Sequence, residues 1–189
     1  DVLYLVQENA PNTPDWMPRT PFGYRANSIE SRMFLKDLKA NGNMLELPSG
    51  QRYRVLVLPR VKEYSPEILE KVIALANAGV GIVLGPRAER SFGLYKRGER
   101  DERVKSAAKT LWGGLGDGVK SKRIGKGTVW VDTPLDEVLK ALKVAPDFET
   151  AEDIERSKLH KGVHNNKLGF YHRLADDRDI YFVVNHTKG

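Results

Sequence analysis

The chain has 189 residues, which is the size of one large domain. Hydrophobic residues make up 40% and charged residues 30% of it, and with 17 glycines and 10 prolines this composition excludes collagen-like, low-complexity and wholly disordered classes. The absence of cysteine excludes thiol nucleophiles, disulfides and cysteine-ligated metals, and no apolar stretch approaches the roughly 18 to 20 residues of a membrane span.

Basic residues outnumber acidic ones, which raises the question of a polyanionic partner. The 31 Lys and Arg residues against 25 Asp and Glu residues give a formal net charge of +6. The densest basic stretch runs from Lys120 to Lys126, but it contains no aromatic residue on which a base could stack. Because charge runs are usually surface features, we predict a solvated hairpin arm there, and neither a nucleic acid nor a membrane as partner.

The first third of the chain predicts short strands around one helix. Residues 2–6 form an apolar β-run, and the segment 11–23 contains four prolines, which make it a loop. Asn27 has the side chain of a helix cap, and apolar residues follow it at helical spacing, so we predict a helix that ends near Asn41-Gly42. Next come a predicted strand at 44–47, a turn at 48–51 and a buried strand at 53–58.

The clearest local signals lie after this strand. Ser65, Pro66 and Glu67 are the residue types of a helix cap, a first helical position and an acidic first turn, and a broad apolar face follows up to Asn77–Gly79. The remaining predicted elements are a strand at 80–84, a helix at 101–112 ended by the glycine-rich 113–118, a strand at 128–131, a helix at 134–142, and a hairpin formed by 168–174 and 180–184 around the acidic turn 176–179.

The order of these elements predicts the fold class. Strands and helices alternate, which favours an α/β fold with a mostly parallel, doubly wound sheet that has helices on both faces and ends in an antiparallel hairpin. We predict a single α/β domain over residues 1–189. Because an apolar strand lies close to each end, we also expect the chain to be a fragment of a larger multidomain protein.

In such a sheet, ligands bind beside the carboxyl ends of the strands. Three segments occupy those positions: Gln7-Glu8-Asn9, Pro59-Arg60 and Gly85-Pro86-Arg87. Ordinary turns are the alternative explanation for all three. A dinucleotide would need a glycine-rich loop after the first strand, whereas Glu8 stands there and would repel phosphate, so we predict no cofactor.

Two groups of histidines or aspartates could in principle bind a metal. His160 and His164 have the i, i+4 spacing of zinc ligands on a helix, but Gly162 disfavours that helix and no third ligand lies nearby. The aspartates Asp176, Asp177 and Asp179 suit the geometry of a turn without any calcium. We therefore predict no metal site.

Tyr171, His172 and Arg173 lie in a predicted strand. Alternation places His172 on the face opposite Tyr171 and Arg173, so His172 and Arg173 cannot both point into one pocket without a bulge. A histidine in a half-buried strand is more often structural than catalytic, and we predict that both residues serve architecture first. The planar guanidinium of Arg173 suits carboxylates such as those of the 176–179 turn.

Several blocks together resemble a known family. Residues 47–59, with Leu47-Pro48-Ser49-Gly50 and Tyr53-Arg54-Val55-Leu56-Val57-Leu58-Pro59, are similar to a block of the large α-L-rhamnosidases of glycoside hydrolase family 106 and their relatives. The later blocks follow in the same order as in that family, so the resemblance covers nearly the whole chain. These later blocks are 69–85, Leu111-Trp112-Gly113, 125–127, 136–142, Pro146-Asp147-Phe148, His172-Arg173 and 179–185.

This resemblance implies an accessory domain similar to the amidotransferase-like domain of some β-galactosidases. The family places it after a catalytic (β/α) barrel and before a β-rich region, so these domains of the parent chain are the expected partners and a carbohydrate is the expected substrate of the parent. The family's catalytic glutamates match no glutamate of this chain. Glutamine-amidotransferase activity is excluded as well, because it needs a cysteine nucleophile and the chain has no cysteine. We expect a non-catalytic, flavodoxin-like or amidotransferase-like domain.

Four residues are the binding candidates at the edge of the parent's active site: Glu8, Arg87, His172 and Arg173. A free-standing binding module for a phosphorylated or acidic ligand is the alternative function, which the net charge of +6 favours. A purely structural interaction domain is a third. Localisation stays open, with a secreted or periplasmic parent as one option.

Overall fold

The structure is a computed structural model that describes residues 1–6, 8, 20–149, 168–175 and 178–185. The chain divides into two compact units, the sheet unit (Asp1–Arg19 and Ala26–Val144) and the hairpin unit (Thr20–Arg25 and Ala145–Gly189). The prediction of one domain over 1–189 stays a prediction. In the part of the chain described, no helix is long and apolar enough to cross a membrane.

The elements alternate along the sheet unit and end in two long strands of the hairpin unit. In chain order they are β1 (Val2–Leu5), β2 (Ala26–Ile29), α1 (Ser31–Lys36), β3 (Lys39–Asn41), β4 (Met44–Glu46), β5 (Arg52–Tyr53), β6 (Val55–Val57), α2 (Pro66–Ala78), β7 (Gly81–Val83), α3 (Arg97–Trp112), β8 (Ser121–Ile124), β9 (Gly127–Trp130), α4 (Leu135–Ala141), β10 (Leu168–Ala175) and β11 (Arg178–Asn185).

Six strands form the main sheet in the order β2-β1-β6-β7-β9-β8. Neighbouring strands pair in parallel except β8 and β9, which form an antiparallel hairpin. The predicted α/β class with a mostly parallel sheet is therefore confirmed. The basic stretch 120–126 lies at the edge of this sheet, because β8 is its last strand.

The central strands are buried as near-continuous apolar runs, which is typical of parallel sheets covered on both faces. Leu3 of β1, Leu56 of β6, Ile82 of β7 and Val129 of β9 are each at most 1% exposed. The apolar face of α2, which contacts β7, β9 and α3, adds further fully buried side chains to the same core: Ile68, Leu69 and Val72. This core fixes the carboxyl ends of β1, β6 and β7 at one edge of the sheet.

Local signals predicted α2 correctly. It begins at Pro66 and ends before Gly79, whose φ of 127° lies in the region that favours glycine. The helix α3 begins at Arg97 rather than at 101, because its first turn is polar and gives no apolar periodicity. Arg100 donates two hydrogen bonds to the Glu67 carboxylate, at 3.1 and 2.9 Å, and thereby ties α3 to α2.

The prediction of a helix capped by Asn27 and ending near Asn41-Gly42 was wrong. Ala26–Ile29 is a strand that pairs in parallel with β1, and the amide of Asn27 donates to the Tyr53 hydroxyl at 2.9 Å. The helix α1 runs only from Ser31 to Lys36, and β3, β4 and β5 then form a small separate antiparallel sheet. The predicted strand 53–58 divides into β5 and β6 around Arg54.

In the hairpin unit, β10 and β11 pair antiparallel, as predicted. Each has eight residues, and Phe170 pairs with Val183 near the middle. The turn around Gly23 belongs to the same unit, and its carbonyl accepts hydrogen bonds from the backbone N–H groups of Asp147 and Phe148 at 2.7 and 3.3 Å. This contact fixes the backbone that carries Asp147.

Candidate functional site

The carboxyl edge of the main sheet contains a small crevice between β1 and β6. Strand order reverses at β1, since β2 lies on one side and β6 on the other, and ligands of open α/β sheets bind at such a reversal. The crevice leaves no enclosed space for even a water-sized molecule; its lining is Leu5, Val6, Glu8, Pro59, Val61, Glu63, Tyr64 and Ile68.

Tyr64 is part of the lining of this crevice. Its side chain is almost completely buried, and its hydroxyl donates to the Pro59 carbonyl at 2.8 Å. Burial, together with the nearby charge of Glu8, raises the pKa of Tyr64 far above its ordinary value. The phenol therefore stays neutral and serves packing rather than proton transfer.

Glu8 binds the beginning of helix α2. One of its carboxylate oxygens accepts a hydrogen bond from the Ser65 backbone N–H at 2.7 Å, and the other accepts one from the Ser65 hydroxyl. Ser65 is the N-cap of α2, and a carboxylate is stabilised there by the helix dipole. Glu8 thus takes the position in which an anionic ligand binds at other helix N-termini. Its sequence neighbours Gln7 and Asn9 lie outside the described residues.

Arg87 follows β7 in the turn after Gly85 and Pro86, and its side chain is exposed. Burial, with the positive charge of Arg87 as a second cause, lowers the pKa of Lys122. The Lys122 amine donates to the carbonyls of Thr110 and Gly113 at the end of α3, at 2.7 and 2.5 Å. Among the described residues no contact joins Arg87 to Glu8, so the structure does not combine these two candidates in one site.

Ser91 and Asp101 form a second carboxylate contact, which sequence reasoning missed. The Asp101 carboxylate accepts from the Ser91 backbone N–H at 2.7 Å and from its hydroxyl at 2.8 Å. These hydrogen bonds hold the pKa of Asp101 below its usual value. Ser91 lies before α3 and Asp101 within it, and a serine followed by a helical aspartate was the only available signal.

His172 in the hairpin unit lies between two carboxylates. Its Nε2 is 2.7 Å from Asp179 Oδ1, and its Nδ1 is 3.4 Å from Asp147 Oδ2. The ring stacks on Tyr181 with a centroid distance of 4.4 Å and an interplanar angle of 3°. Sequence reasoning did not pair Asp147 with His172, although both belong to blocks that resemble the family.

Electrostatics favour the charged form of His172. Burial alone would lower its pKa, but the hydrogen bonds to Asp179 and Asp147 and the charges of both carboxylates outweigh burial, so the pKa is raised above 6.5. The imidazolium can donate from both nitrogens. In that state it has no free lone pair with which to accept a proton or bind a metal.

Arg173 lies on the next position of β10 and is exposed. The prediction that Arg173 binds the carboxylates of the 176–179 turn fails for Asp179, because that carboxylate binds His172, and cross-strand pairing puts Asp179 on the His172 face. Asp176 and Asp177 lie outside the described residues, as do His160 and His164. Within the described ranges, no cluster of three acidic or histidine side chains has the arrangement of a metal site.

Comparison with known proteins decides the family. A model of glycoside hydrolase family 106, described as alpha-L-rhamnosidase, matches residues 1–189. The chain belongs to glycoside hydrolase family 106. It is 29% identical over 189 residues to a Formosa agariphila protein named "Putative beta-glucuronidase". It is also similar to the structure of a rhamnosidase from Novosphingobium sp. PP1Y, with 28% identity over 98% of this chain and a TM-score of 0.74.

These relatives are much longer than this family 106 chain. The chain spans 14% of the Formosa protein and 17% of the Novosphingobium rhamnosidase. The predicted resemblance to α-L-rhamnosidases is therefore confirmed at the level of the family, and the matched region is a small part of each relative.

Proposed function

We propose that this chain is a non-catalytic accessory segment of a glycoside hydrolase and supports a catalytic barrel that lies outside its 189 residues. The observation that carries the proposal is the family match over the whole chain, combined with its 14% and 17% shares of the two relatives. A segment of that share leaves ample chain for a separate catalytic domain. The parent's substrate is proposed to be a glycoside of rhamnose or of a related sugar.

The side-chain geometry supports a structural role for the four carboxylates described above. Glu8 binds the start of α2, Asp101 binds Ser91, and Asp179 and Asp147 bind His172. Glycoside hydrolysis needs one carboxyl group that gives a proton and a second that acts as nucleophile or base. Carboxylates occupied by such contacts are poorly suited to either task.

The finer fold assignment is also a proposal. Counted along the chain, the five parallel strands of the main sheet lie in the order 2-1-3-4-5, when β6, β7 and β9 are the third, fourth and fifth. This is the order of flavodoxin-like proteins, which bind their ligand at the reversal beside the first strand. In this chain Tyr64 and Glu8 line that place, and it has no room for a ligand, which supports a flavodoxin-like or amidotransferase-like domain without the ligand site.

Among the four candidates, Arg87 is the one we propose for contact with the parent's carbohydrate. It is exposed in a loop at the carboxyl edge of the sheet, whereas Glu8 and His172 have structural partners. A guanidinium presents five N–H donors in a planar fork, which suits sugar hydroxyl groups. In the full-length parent, Arg87→Ala should raise KM for an aryl glycoside several-fold, and Arg32→Ala, an exposed arginine on α1, should leave it unchanged.

A binding module for a phosphorylated or acidic ligand is the second candidate, and the net charge of +6 favours it. The geometry offers it less support, since Glu8 occupies the N-terminus of α2 and Lys122 is bound to carbonyl groups. If this alternative were right, inorganic phosphate or a polyanion would bind the chain at physiological salt.

The direct test compares the 189-residue chain with the full-length parent on aryl α-L-rhamnosides and aryl β-D-glucuronides. We expect turnover by the parent and none by the chain. Turnover by the chain itself, lost on replacing one of its own carboxylates, would contradict the proposal. The two substrates also distinguish a rhamnosidase activity from a glucuronidase activity, which are the activities in the names of the two relatives.

A further inference from the structure

The β10–β11 hairpin has one face that is apolar and exposed. Tyr171 pairs with Phe182 and Arg173 with Ile180, and since paired residues share a face, these four side chains lie together. We call them the outer face. Tyr171 is 71% exposed, Phe182 66% and Ile180 51%. An isolated exposed apolar residue needs no explanation, but three adjacent large ones indicate an interaction surface.

The opposite face of the same hairpin is used inside its own unit. Phe170 on that face is 6% exposed and stacks on Phe148 at a centroid distance of 4.9 Å, and His172 binds Asp147. The Arg25 guanidinium lies 4.1 Å from the centroid of the Phe170 ring and 4.5 Å from that of the Tyr171 ring, yet Tyr171 stays largely exposed. On the opposite face Phe170 and His172 have partners within the unit while Tyr181 and Val183 are 44% and 46% exposed, whereas the three large apolar side chains of the outer face are each more than half exposed.

The small size of this sheet also indicates an interaction surface. In the described part of the chain, β10 and β11 pair with each other and form a two-stranded sheet of eight-residue strands. A two-stranded sheet is marginally stable in water by itself. Such a hairpin normally packs against other structure in native proteins.

We propose that the outer face docks against an apolar protein surface that carries a carboxylate opposite Arg173 and is supplied by the parent polypeptide outside these 189 residues. Tyr, Phe and Arg are the residue types enriched in the centres of protein interfaces, and an exposed guanidinium among them selects an acidic partner. The chain spans only 14% and 17% of its two relatives, which leaves most of such a polypeptide to provide this surface. The inference rests on the proposed function for the existence of that parent.

The test uses two cysteine variants of the full-length parent, Ile180→Cys on the outer face and Val183→Cys on the opposite face. The original side chains are matched, at 51% and 46% exposed, and the 189 residues contain no other cysteine. Alkylation by iodoacetamide is followed by mass spectrometry of the hairpin peptide, and each rate is divided by the rate in denaturant. We expect the cysteine at 180 to react at least tenfold more slowly than the one at 183.

Equal normalised rates at the two positions, whether fast or slow, overturn the inference. A rate at 180 that rises on dilution also overturns it, because the covering surface would then be a second copy. If a variant does not fold, hydroxyl-radical footprinting of the unmodified parent decides: Phe182 should be modified at least fivefold more slowly than in denaturant, and modification at the denatured rate refutes docking.

Activity of the same preparation separates this inference from the proposed function. An active glycoside hydrolase with equal rates at 180 and 183 refutes the docking alone. An inactive parent with selective protection of 180 refutes the proposed function and leaves a covered hairpin face.

Discussion

Replacing His172 tests whether this residue serves architecture. In His172→Ala the ring no longer bridges Asp147 and Asp179, whose side chains are 27% and 60% exposed, and it no longer stacks on Tyr181. The charged hydrogen bond to Asp179 and the longer ion pair with Asp147, both partly exposed, contribute about 1–2 kcal/mol together, and the stacking contributes about 0.5–1 kcal/mol. We therefore expect a loss of about 2 kcal/mol, or roughly 4–8 °C in the melting midpoint of a chain of this size.

The loss should depend on pH, because the two carboxylates raise the pKa of His172 in the folded chain above its ordinary value of 6.5. A raised folded pKa means that the charge contribution is fully present below the unfolded pKa and disappears as pH rises through the folded pKa. Calorimetric melting of the wild type and of His172→Ala should therefore differ more at pH 5.5 than at pH 9.

Arg173→Ala is the matched control, since Arg173 is the next residue of the same strand and is exposed. In the 189-residue chain it should change the melting midpoint by less than about 2 °C, as surface substitutions usually do. The argument is refuted if the loss from His172→Ala is equal at both pH values. It is also refuted if His172→Ala leaves the melting midpoint unchanged while abolishing the activity of the full-length parent.

Four other substitutions examine packing and helix stability within each unit. Glu8→Gln should cost about 0.5–2 kcal/mol in urea unfolding, because Ser65 at the start of α2 loses a charged acceptor; an unchanged midpoint would contradict that role. Gly23→Ala should destabilise the chain by more than about 1 kcal/mol, since φ is +84° and the new Cβ would lie 2.6 Å from a backbone oxygen. Gly98→Ala in α3 should instead stabilise it by roughly 0.5–1 kcal/mol, because alanine has the higher helix propensity. Similar effects of the two substitutions on the free energy of unfolding would refute the steric argument. Tyr64→Phe should cost about 1 kcal/mol by thermal melting, as the buried Pro59 carbonyl loses its donor, and a neutral result would count against the bond.

Local chemistry determined the elements that the sequence predicted well. The beginning of α2 follows from Ser65, Pro66 and Glu67, whose preferences act within one helical turn, and its end follows from Gly79 at positive φ. The strands β6 and β7 were predictable because a strand buried on both faces is an uninterrupted apolar run. The parallel sheet follows from the helix between such strands.

Tertiary pairing decided what the sequence left open. Ala26–Ile29 has polar Asn27 and Ser28 in its middle and becomes a strand because β1 offers a free edge. Ser65, the partner of Glu8, and Asp147, the more distant of the two partners of His172, lie far away along the chain, and only the folded backbone brings them into contact. The residue types identify these four side chains as able to form hydrogen bonds or ion pairs. Which side chain pairs with which depends on distances that exist only after the sheet and the hairpin have formed.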